Sequence, residues 1–220
     1  MTVIGITGPT GAGKTTVLKV LAEMDFEIID CDALYYRLLE TDGKLRRDLT
    51  QAFGDVFLPD GSLDRQVVAR RVFGDPGELD RLNGIVFPAV SAAVEQKIEN
   101  CLQKGVAIDA INLVESGMGR LCSATVAVTA APDVRLKRIM ERDGLDEARA
   151  LARIRAQKPA DWYRDRCTFL LDNQQEDRAA FEALARSFFQ NLLEFINKGE
   201  NQDGSQRMER KAPDGEEKRL

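Results

Sequence analysis

The sequence contains no histidine, and this absence removes several classes of active site at once. Serine and cysteine nucleophiles that depend on a histidine base are excluded, and so are zinc sites with histidine ligands. Any general base must therefore be an aspartate, a glutamate, a lysine, a tyrosine or a cysteine.

Cysteine is also scarce, and the four residues Cys31, Cys101, Cys122 and Cys167 include no C-x-x-C pair. This spacing argues against a dithiol redox site and against a thiolate metal site. We expect reduced thiols, with Cys31 and Cys122 acting as small fillers of the core.

No hydrophobic run approaches the length of a membrane span, and no room for a signal peptide precedes the first expected strand. The net charge is −5 without a strongly basic run, which argues against a nucleic-acid-binding surface. We therefore expect a cytoplasmic protein, a monomer or weak homo-oligomer, with neither nucleic acid nor membrane as a partner. At 220 residues and 44% hydrophobic content, the chain is long enough for one α/β domain with an insertion.

Residues 8–15 spell G-P-T-G-A-G-K-T, which fits the phosphate-binding pattern G-x-x-x-x-G-K-[ST]. A short apolar strand is expected before it, at residues 3–7, and a helix after it, at residues 16–24. In this setting the glycines let backbone N–H groups converge on an anion beside the positive end of the helix. We expect Lys14 to reach the β- and γ-phosphates of a nucleotide and the Thr15 hydroxyl to bind Mg²⁺. The alternative is an ordinary glycine turn, which explains fewer of the fixed positions.

Apolar strand-like segments alternate with helical periodicity along the chain, which predicts an α/β fold with a mostly parallel sheet covered on both faces. Residues 33–86 show short helical patterns and no convincing strand, so they indicate a helical insertion. A short helix is expected from Pro76, and a separate long helix from Pro88 to Gly105. The strands are expected at residues 3–7, 27–30, 106–111, 124–129 and 169–172, and later helices at 132–142, 146–157 and 176–197.

The last expected helix carries an apolar stripe typical of packing against a core. The stripe consists of Phe181, Leu184, Phe188, Leu192 and Phe195. Residues 199–220 are charged and nearly free of large apolar side chains, so we expect a disordered tail after a folded domain of residues 1–198.

Acidic side chains stand at the carboxyl ends of two expected strands, Asp30 and Asp32 at one and Asp109 at the other, with Glu115 shortly after. Because that end of a parallel sheet faces the ligand crevice, these groups could orient a hydroxyl nucleophile or hold Mg²⁺. The pattern leaves two alternatives open. Asp32 could cap the following helix, and Asp109 could be an ordinary acid at the end of a strand.

Arg138 and Arg142 are four residues apart and share one face of an expected helix, just before the Asp143-Gly144 break. Basic side chains beside such a hinge suit a lid that closes over a nucleotide and neutralises the transferring phosphoryl group. By spacing alone, a solvated surface helix is the simpler explanation.

Four segments together resemble the dephospho-CoA kinase family of P-loop kinases, which is related to the nucleoside monophosphate kinases. The similarity runs from Met1 to about Asn173. The most discriminating segment is Asp60-Gly61-Ser62-Leu63-Asp64-Arg65, followed by Arg71-Val72-Phe73 and Leu82-Asn83. The other segments are Ile6 to Thr15, then Ile29 to Leu34 with Arg37, and finally Glu115-Ser116-Gly117 with Arg138, Arg142, Arg153 to Gln157 and Asn173.

The resemblance implies a three-layer P-loop kinase fold with five parallel strands and the phosphate loop after the central strand. Residues 33–86 would form the helical CoA-binding insertion, and residues 138–168 a helical lid. The implied reaction uses ATP and Mg²⁺. It transfers the γ-phosphoryl group to the ribose 3′-hydroxyl of dephospho-CoA, which gives CoA and ADP in the last step of CoA synthesis.

Residue roles follow from position within the matching segments. Lys14, Asp32 and Arg142 would be catalytic, with Asp32 accepting the proton of the hydroxyl. Thr15 would bind Mg²⁺, and Asp109 would reach the ion through water. ATP would be held by Gly8, Gly11, Ala12, Gly13, Lys14, Thr15, Thr16, Arg138 (against the adenine), Arg142 and Asn173. Dephospho-CoA would be held by Thr7, Asp32, Arg37, Arg65, Leu82, Asp109 and Glu115.

The chain departs from the family pattern at three places. Phe87-Pro88 stands where the family usually has His-Pro, residues 110–115 replace a Pro-Leu-Leu-Phe-Glu stretch, and Cys167-Thr168 replaces Ala-Asp. These changes bear on affinity for the acceptor more than on phosphoryl transfer. Two alternatives therefore stand beside the implied reaction: a kinase for another small molecule or nucleotide, and a degenerate nucleotide-binding regulator.

Overall fold

A computed structural model describes residues 1–72, 75–175 and 177–200 of the chain. Some residues named above lie outside the described residues: Phe73 of the most discriminating segment, Glu176 at the start of the last expected helix, and residues 201–220 of the expected tail.

The described residues contain one parallel sheet, in which the strands follow the spatial order β2-β3-β1-β4-β5. The strands are β1 (Thr2–Thr7), β2 (Phe26–Asp30), β3 (Gly105–Asp109), β4 (Ala124–Thr129) and β5 (Phe169–Asp172). The prediction of five parallel strands with the phosphate loop after the central one is confirmed, because β1 lies in the middle and leads directly into residues 8–15. Strand β3 ends two residues earlier than expected, since the chain turns at Ala110, whose carbonyl accepts a hydrogen bond from the Leu113 N–H.

Helices cover both faces of the sheet and form the outer two of three layers. Their bounds are α1 (Lys14–Glu23), α2 (Cys31–Thr41), α3 (Gly43–Phe53), α4 (Arg65–Val72), α5 (Pro76–Glu99), α6 (Pro132–Asp143), α7 (Glu147–Arg155), α8 (Ala160–Arg164) and α9 (Arg178–Glu200), with a 3₁₀ turn at Met118–Leu121. Helices α1 and α9 pack on one face, and α2 and α5 pack on the other. Within the described ranges, no helix combines the length and the apolar character needed to cross a membrane.

The expectation of a break before Pro88 is wrong, because α5 runs without interruption from Pro76 to Glu99. Proline removes one helical hydrogen bond, to the carbonyl four residues earlier. Here that carbonyl belongs to Gly84, and both Gly84 and Pro88 are exposed, so water can satisfy it. The buried side chains of Val90 and Val94 hold the second half of the helix on the sheet. Tertiary packing therefore overrides the local preference.

The expected apolar stripe of α9 is partly wrong. Leu184 and Phe195 are 39% and 41% exposed, whereas the helix buries Phe181, Ala185, Phe189 and Leu192. The small Ala185 lies at the centre of this face, which allows α9 to approach α1 and the sheet closely. The helix continues to Glu200, so it includes the first two residues of the expected tail.

The helical insertion has a hydrophobic core of its own, formed by Leu39, Leu45, Leu49, Phe53, Val56 and Val68. Arg46 connects its parts. The Arg46 Nη1 atom donates hydrogen bonds to the carbonyl oxygens of Leu39 (2.6 Å) and Gly61 (2.8 Å), and its guanidinium lies 4.0 Å from the centre of the Phe57 ring. One cationic side chain therefore ties α2, α3 and the turn before α4 together.

Replacing Arg46 with alanine is expected to lower the free energy of unfolding by about 1–3 kcal/mol, because two carbonyl groups lose a charged donor. The neighbouring variant Arg47→Ala is the matched control, since Arg47 is exposed on the same helix. Urea unfolding of both variants checks the prediction. Equal losses for the two variants would contradict it.

Candidate active site

The phosphate loop, residues 8–15, has a positive φ at Gly8, Gly11 and Gly13, and at two of these positions a side chain would also clash with neighbouring atoms. Gly8 has a φ of 129°, and a Cβ atom there would lie 2.1 Å from the Val128 carbonyl oxygen. Gly13 has a φ of 111°, and its Cβ would lie 2.5 Å from Asn173 Nδ2. The loop therefore wraps closely around the ends of β4 and β5 and delivers the chain into α1. The first N–H groups of a helix have no partner within it, so they are available to an anion.

Lys14 is the first residue of α1, and its ammonium group points back into the loop. Its Nζ atom donates a 2.7 Å hydrogen bond to the Gly8 carbonyl oxygen. Burial lowers the pKa of Lys14, whereas the nearby charges of Asp109 and Asp32 raise it. The cation thus lies between the loop and the acidic edge of the sheet. Thr15 follows in the first turn with an exposed side chain, and its contact with a metal ion stays a prediction.

Asp30 and Asp109 are direct neighbours across β2 and β3, and Asp109 also pairs with Ile6 of β1. The sheet therefore places both carboxylates at the carboxyl ends of its strands, where the phosphate loop begins. We call this end of the sheet, with Asp30, Asp32 and Asp109, the acidic edge. Asp30 caps α2, because its Oδ1 accepts a 2.9 Å hydrogen bond from the Ala33 N–H. The capping alternative for Asp32 is therefore wrong. Asp32 lies in the first turn of α2 with an exposed side chain, and the cap leaves its carboxylate free.

The acidic edge carries perturbed carboxyl groups. Loss of hydration raises the pKa of Asp32, and the charge of Asp30 raises it further, whereas Lys14 opposes the shift. Loss of hydration raises the pKa of Asp109 to about 6, again against the attraction of Lys14. Perturbed acids that share one cation at the carboxyl end of a parallel sheet are typical of a catalytic edge.

Asp109→Asn is expected to stabilise the nucleotide-free protein at neutral pH by about 1–3 kcal/mol, a few degrees in the thermal midpoint. Below the ordinary carboxyl pKa near 4, Asp109 is neutral in both states and the substitution gains nothing. As the pH rises to about 6, the unfolded chain ionises first and the folded chain loses stability.

Thermal unfolding of both proteins from pH 4 to pH 8 checks this prediction. The difference between them is expected to grow through the window from about 4 to about 6. A difference that is the same at every pH would contradict it.

Two arginines of α6 hold carbonyl groups of the phosphate loop. Arg135 Nε donates to the Thr10 carbonyl oxygen at 2.9 Å, and Arg138 Nη1 donates to the Gly11 carbonyl oxygen at 3.3 Å. Each arginine also meets a side-chain amide: Arg135 Nη2 donates to Gln157 Oε1 at 2.5 Å, and Arg138 Nη2 donates to Asn173 Oδ1 at 3.3 Å. Asn173 Nδ2 in turn donates to the Ala12 carbonyl oxygen at 2.9 Å.

The prediction had placed Arg138 and Asn173 at the nucleotide, and the structure brings both to the phosphate loop. Contact between Arg138 and the adenine stays a prediction. Arg135 and Gln157 were not predicted as site residues. A signal existed for Arg135, which lies one helical turn before Arg138, on the same face of α6. Gln157 closed one of the matching segments, but nothing in that pattern assigned a role to its side chain.

Arg142 lies near the end of α6 and is paired with its neighbour. Its Nε and Nη2 atoms donate to both carboxylate oxygens of Asp143 at 2.7 and 2.9 Å, and Asp143 also accepts from Arg153. The positive charge of Arg142 is still close enough to lower the pKa of Lys14. It therefore stands at the rim of the same site, held by an exposed ion pair.

The residues expected at the acceptor lie in several environments. Thr7 is fully buried, and its hydroxyl donates to the Ile111 carbonyl oxygen at 3.1 Å. Leu82 packs against the core of the insertion. Arg37 and Glu115 are exposed, and the Arg65 guanidinium lies 4.4 Å from the centre of the Tyr36 ring. These acceptor contacts stay predictions.

All four cysteines are free thiols. Cys31 is buried and packs in the core beside Cys122, and burial raises the pKa of each thiol to about 12. Neutral thiols of this kind are poor nucleophiles, in agreement with the expected role as core fillers.

A family model and curated relatives match most of the chain. The sequence profile of the dephospho-CoA kinase family matches residues 2–179. A dephospho-CoA kinase from Dehalococcoides mccartyi is 40% identical over 161 residues, which cover 71% of this chain and 81% of the relative. A second, from Anaeromyxobacter dehalogenans, is 38% identical over 189 residues, which cover 84% of this chain and 88% of the relative.

A solved structure extends the likeness to three dimensions. The crystal structure of TT1252 from Thermus thermophilus aligns with a TM-score of 0.71 at 33% identity and covers 88% of this chain and 97% of that one. The family match spans the sheet, the phosphate loop, the acidic edge and α6 together. The chain therefore belongs to the dephospho-CoA kinase family.

Proposed function

We propose that this protein transfers the γ-phosphoryl group of MgATP to the ribose 3′-hydroxyl of dephospho-CoA. The observation that carries the proposal is that Asp30, and not Asp32, caps α2. Because Asp30 caps α2, the carboxylate of Asp32 is not used by the cap. It lies at the carboxyl end of the sheet, where the phosphate loop also lies. Phosphoryl transfer to an alcohol needs a base beside the phosphate-binding loop that can accept the proton of the hydroxyl, and a free carboxylate can do this.

In the proposed reaction the phosphate loop binds the β- and γ-phosphates through N–H groups of the loop and the first turn of α1. Lys14 leaves the Gly8 carbonyl and donates instead to the phosphate oxygens, which keeps its buried charge partnered. Asp32 accepts the proton of the attacking hydroxyl as the new bond to the γ-phosphorus forms and the bond to the bridging oxygen of ADP breaks, so that ADP leaves. Arg142 leaves its ion pair with Asp143 and contacts the transferring phosphoryl group instead, where its positive charge offsets the negative charge of that group.

The residues present fit a magnesium ion. Thr15 and Asp109 offer a hydroxyl and a carboxylate, and Mg²⁺ commonly takes one or two protein oxygens, with waters and substrate phosphates completing its shell. Bound there, the ion would neutralise charge on the phosphates. Asp109 is suited to reach it through water, and a nearby cation would favour the ionised form of that carboxyl group.

The test is the formation of CoA from dephospho-CoA and MgATP by the purified protein, followed together with ADP release. A panel of other phosphoryl acceptors, including small alcohols and nucleoside monophosphates, is assayed in parallel. Turnover of dephospho-CoA above the others supports the proposal. Preference for another acceptor would support a different small-molecule kinase, and tight ATP binding without turnover of any acceptor would support a regulator.

A further inference from the structure

Thr10, in the middle of the phosphate loop, has all of its polar groups engaged by two side chains. Its N–H donates to Gln157 Oε1 at 3.1 Å, and its hydroxyl accepts from Gln157 Nε2 at 2.8 Å. Its carbonyl oxygen accepts from Arg135 Nε at 2.9 Å. A single carboxamide thus holds both the backbone and the side chain of one loop residue.

Gln157 also orients the arginine that holds the same residue. Arg135 is only 6% exposed, and its Nη2 donates to Gln157 Oε1. The two hydrogen-bond partners of this buried guanidinium are therefore uncharged oxygens, those of Thr10 and Gln157. Without the glutamine, one face of a buried cation would lose its acceptor, which is costly for any buried charged donor.

Gln157 connects two parts of the chain that are far apart in sequence. It comes two residues after the end of α7, inside the segment expected to form the lid, and 147 residues away from Thr10 in sequence. It is therefore a direct link between the lid segment and the nucleotide site. Movement of the α7 end would pull on Thr10 and Arg135 together.

We propose that Gln157 is a positioning residue for nucleotide binding, which fixes Thr10 and Arg135 and so keeps the phosphate loop in its binding shape. A loop held in the bound shape before the anion arrives loses less conformational freedom on binding. The effect is expected on affinity for the nucleotide and not on affinity for the acceptor. The inference rests on the nucleotide site of the proposed function but not on which acceptor is used.

The experiment compares Gln157→Leu and Gln157→Glu with the unmutated protein, using calorimetric binding of MgADP and steady-state kinetics. Leucine removes every polar contact, so the Kd for MgADP and the KM for ATP are expected to rise about tenfold. The KM for dephospho-CoA is expected to stay unchanged. Glutamate keeps an acceptor for the Thr10 N–H and for Arg135, and the Thr10 hydroxyl can turn to donate to it. Binding by this variant is expected to stay within about threefold of the original.

Gln190→Leu serves as the matched control, because it makes the same substitution at an exposed position of α9. A second test of the link uses Thr10→Val. The Kd of the double variant Thr10→Val/Gln157→Leu for MgADP is expected to lie within about twofold of the Kd of Gln157→Leu alone, because both changes break the same contact.

Three results would overturn the inference. The first is an unchanged Kd for MgADP in Gln157→Leu. The second is a rise in KM for both substrates that is equally large in Gln157→Leu and Gln157→Glu, which would indicate a merely structural role. Fully additive losses in the double variant are the third. Failure of the unmutated protein to bind MgADP would instead overturn the nucleotide site itself, and with it both proposals.

Discussion

Asp32→Asn is expected to lower kcat by about 10²- to 10⁴-fold, which is the contribution of a positioned general base. Asparagine has nearly the same shape and cannot accept the proton of the hydroxyl. Because Asp32 is an exposed residue and takes no part in the cap of α2, the substitution is expected to leave folding and MgADP binding unchanged. Rapid-quench measurement of CoA formation gives the rate of the chemical step directly.

Asp30→Asn is the matched control, since it removes a carboxylate two residues away on the same edge. Asparagine caps helices about as well as aspartate, so the hydrogen bond to the Ala33 N–H is expected to survive. Loss of the Asp30 charge also removes one cause of the raised pKa of Asp32. We expect kcat within about threefold of the original in this variant. Equal losses in the two variants would contradict the assignment of the base to Asp32.

The pH dependence of the reaction follows from the same carboxyl group. The pKa of Asp32 is raised, and the base works only when ionised, so kcat/KM is expected to rise with pH across a range above the ordinary carboxyl value. In Asp30→Asn this rise is expected to begin at a lower pH.

The sheet and the phosphate loop could be predicted because their signals are local. Strand β4, Ala124–Thr129, and strand β5, Phe169–Asp172, have the expected bounds because each is a short segment dominated by apolar residues. The loop at residues 8–15 was recognisable because its backbone tolerates only glycine at Gly8 and Gly13, where a Cβ atom would meet neighbouring atoms.

What escaped prediction depends on partners that are distant in sequence. Gln157 and Arg135 acquire their roles only when α6 and the end of α7 meet Thr10. The sequence offered Asp32 as the cap of α2 and missed Asp30, which is the cap in the structure, because the start of a helix is poorly fixed by pattern. The continuity of α5 through Pro88 was hidden for a similar reason. It depends on burial of Val90 and Val94 against the sheet, which outweighs the local effect of proline.

Lys14→Met is expected to lower kcat/KM for ATP by at least about 10²- to 10³-fold, because the phosphates lose their one buried ammonium partner within the loop. Methionine keeps most of the apolar stem and removes only the charge. In the nucleotide-free chain that charge is expensive, since burial lowers the pKa of Lys14. The thermal midpoint without nucleotide is therefore expected to stay within a few degrees of the original, about the size of a 1 kcal/mol change.

Lys19→Met provides the control, because Lys19 lies on the same helix and makes only exposed ion pairs with Glu23 and Glu182. Exposed pairs contribute little, so kcat/KM and the thermal midpoint are both expected to remain close to the original. The contrast separates a charge directed at the nucleotide from a charge directed at solvent. If Lys14→Met retained full kcat/KM for ATP, the hydrogen bond from Lys14 to Gly8 would be structural. The phosphate-binding role would then have to be carried by backbone amides and the arginines of α6 alone.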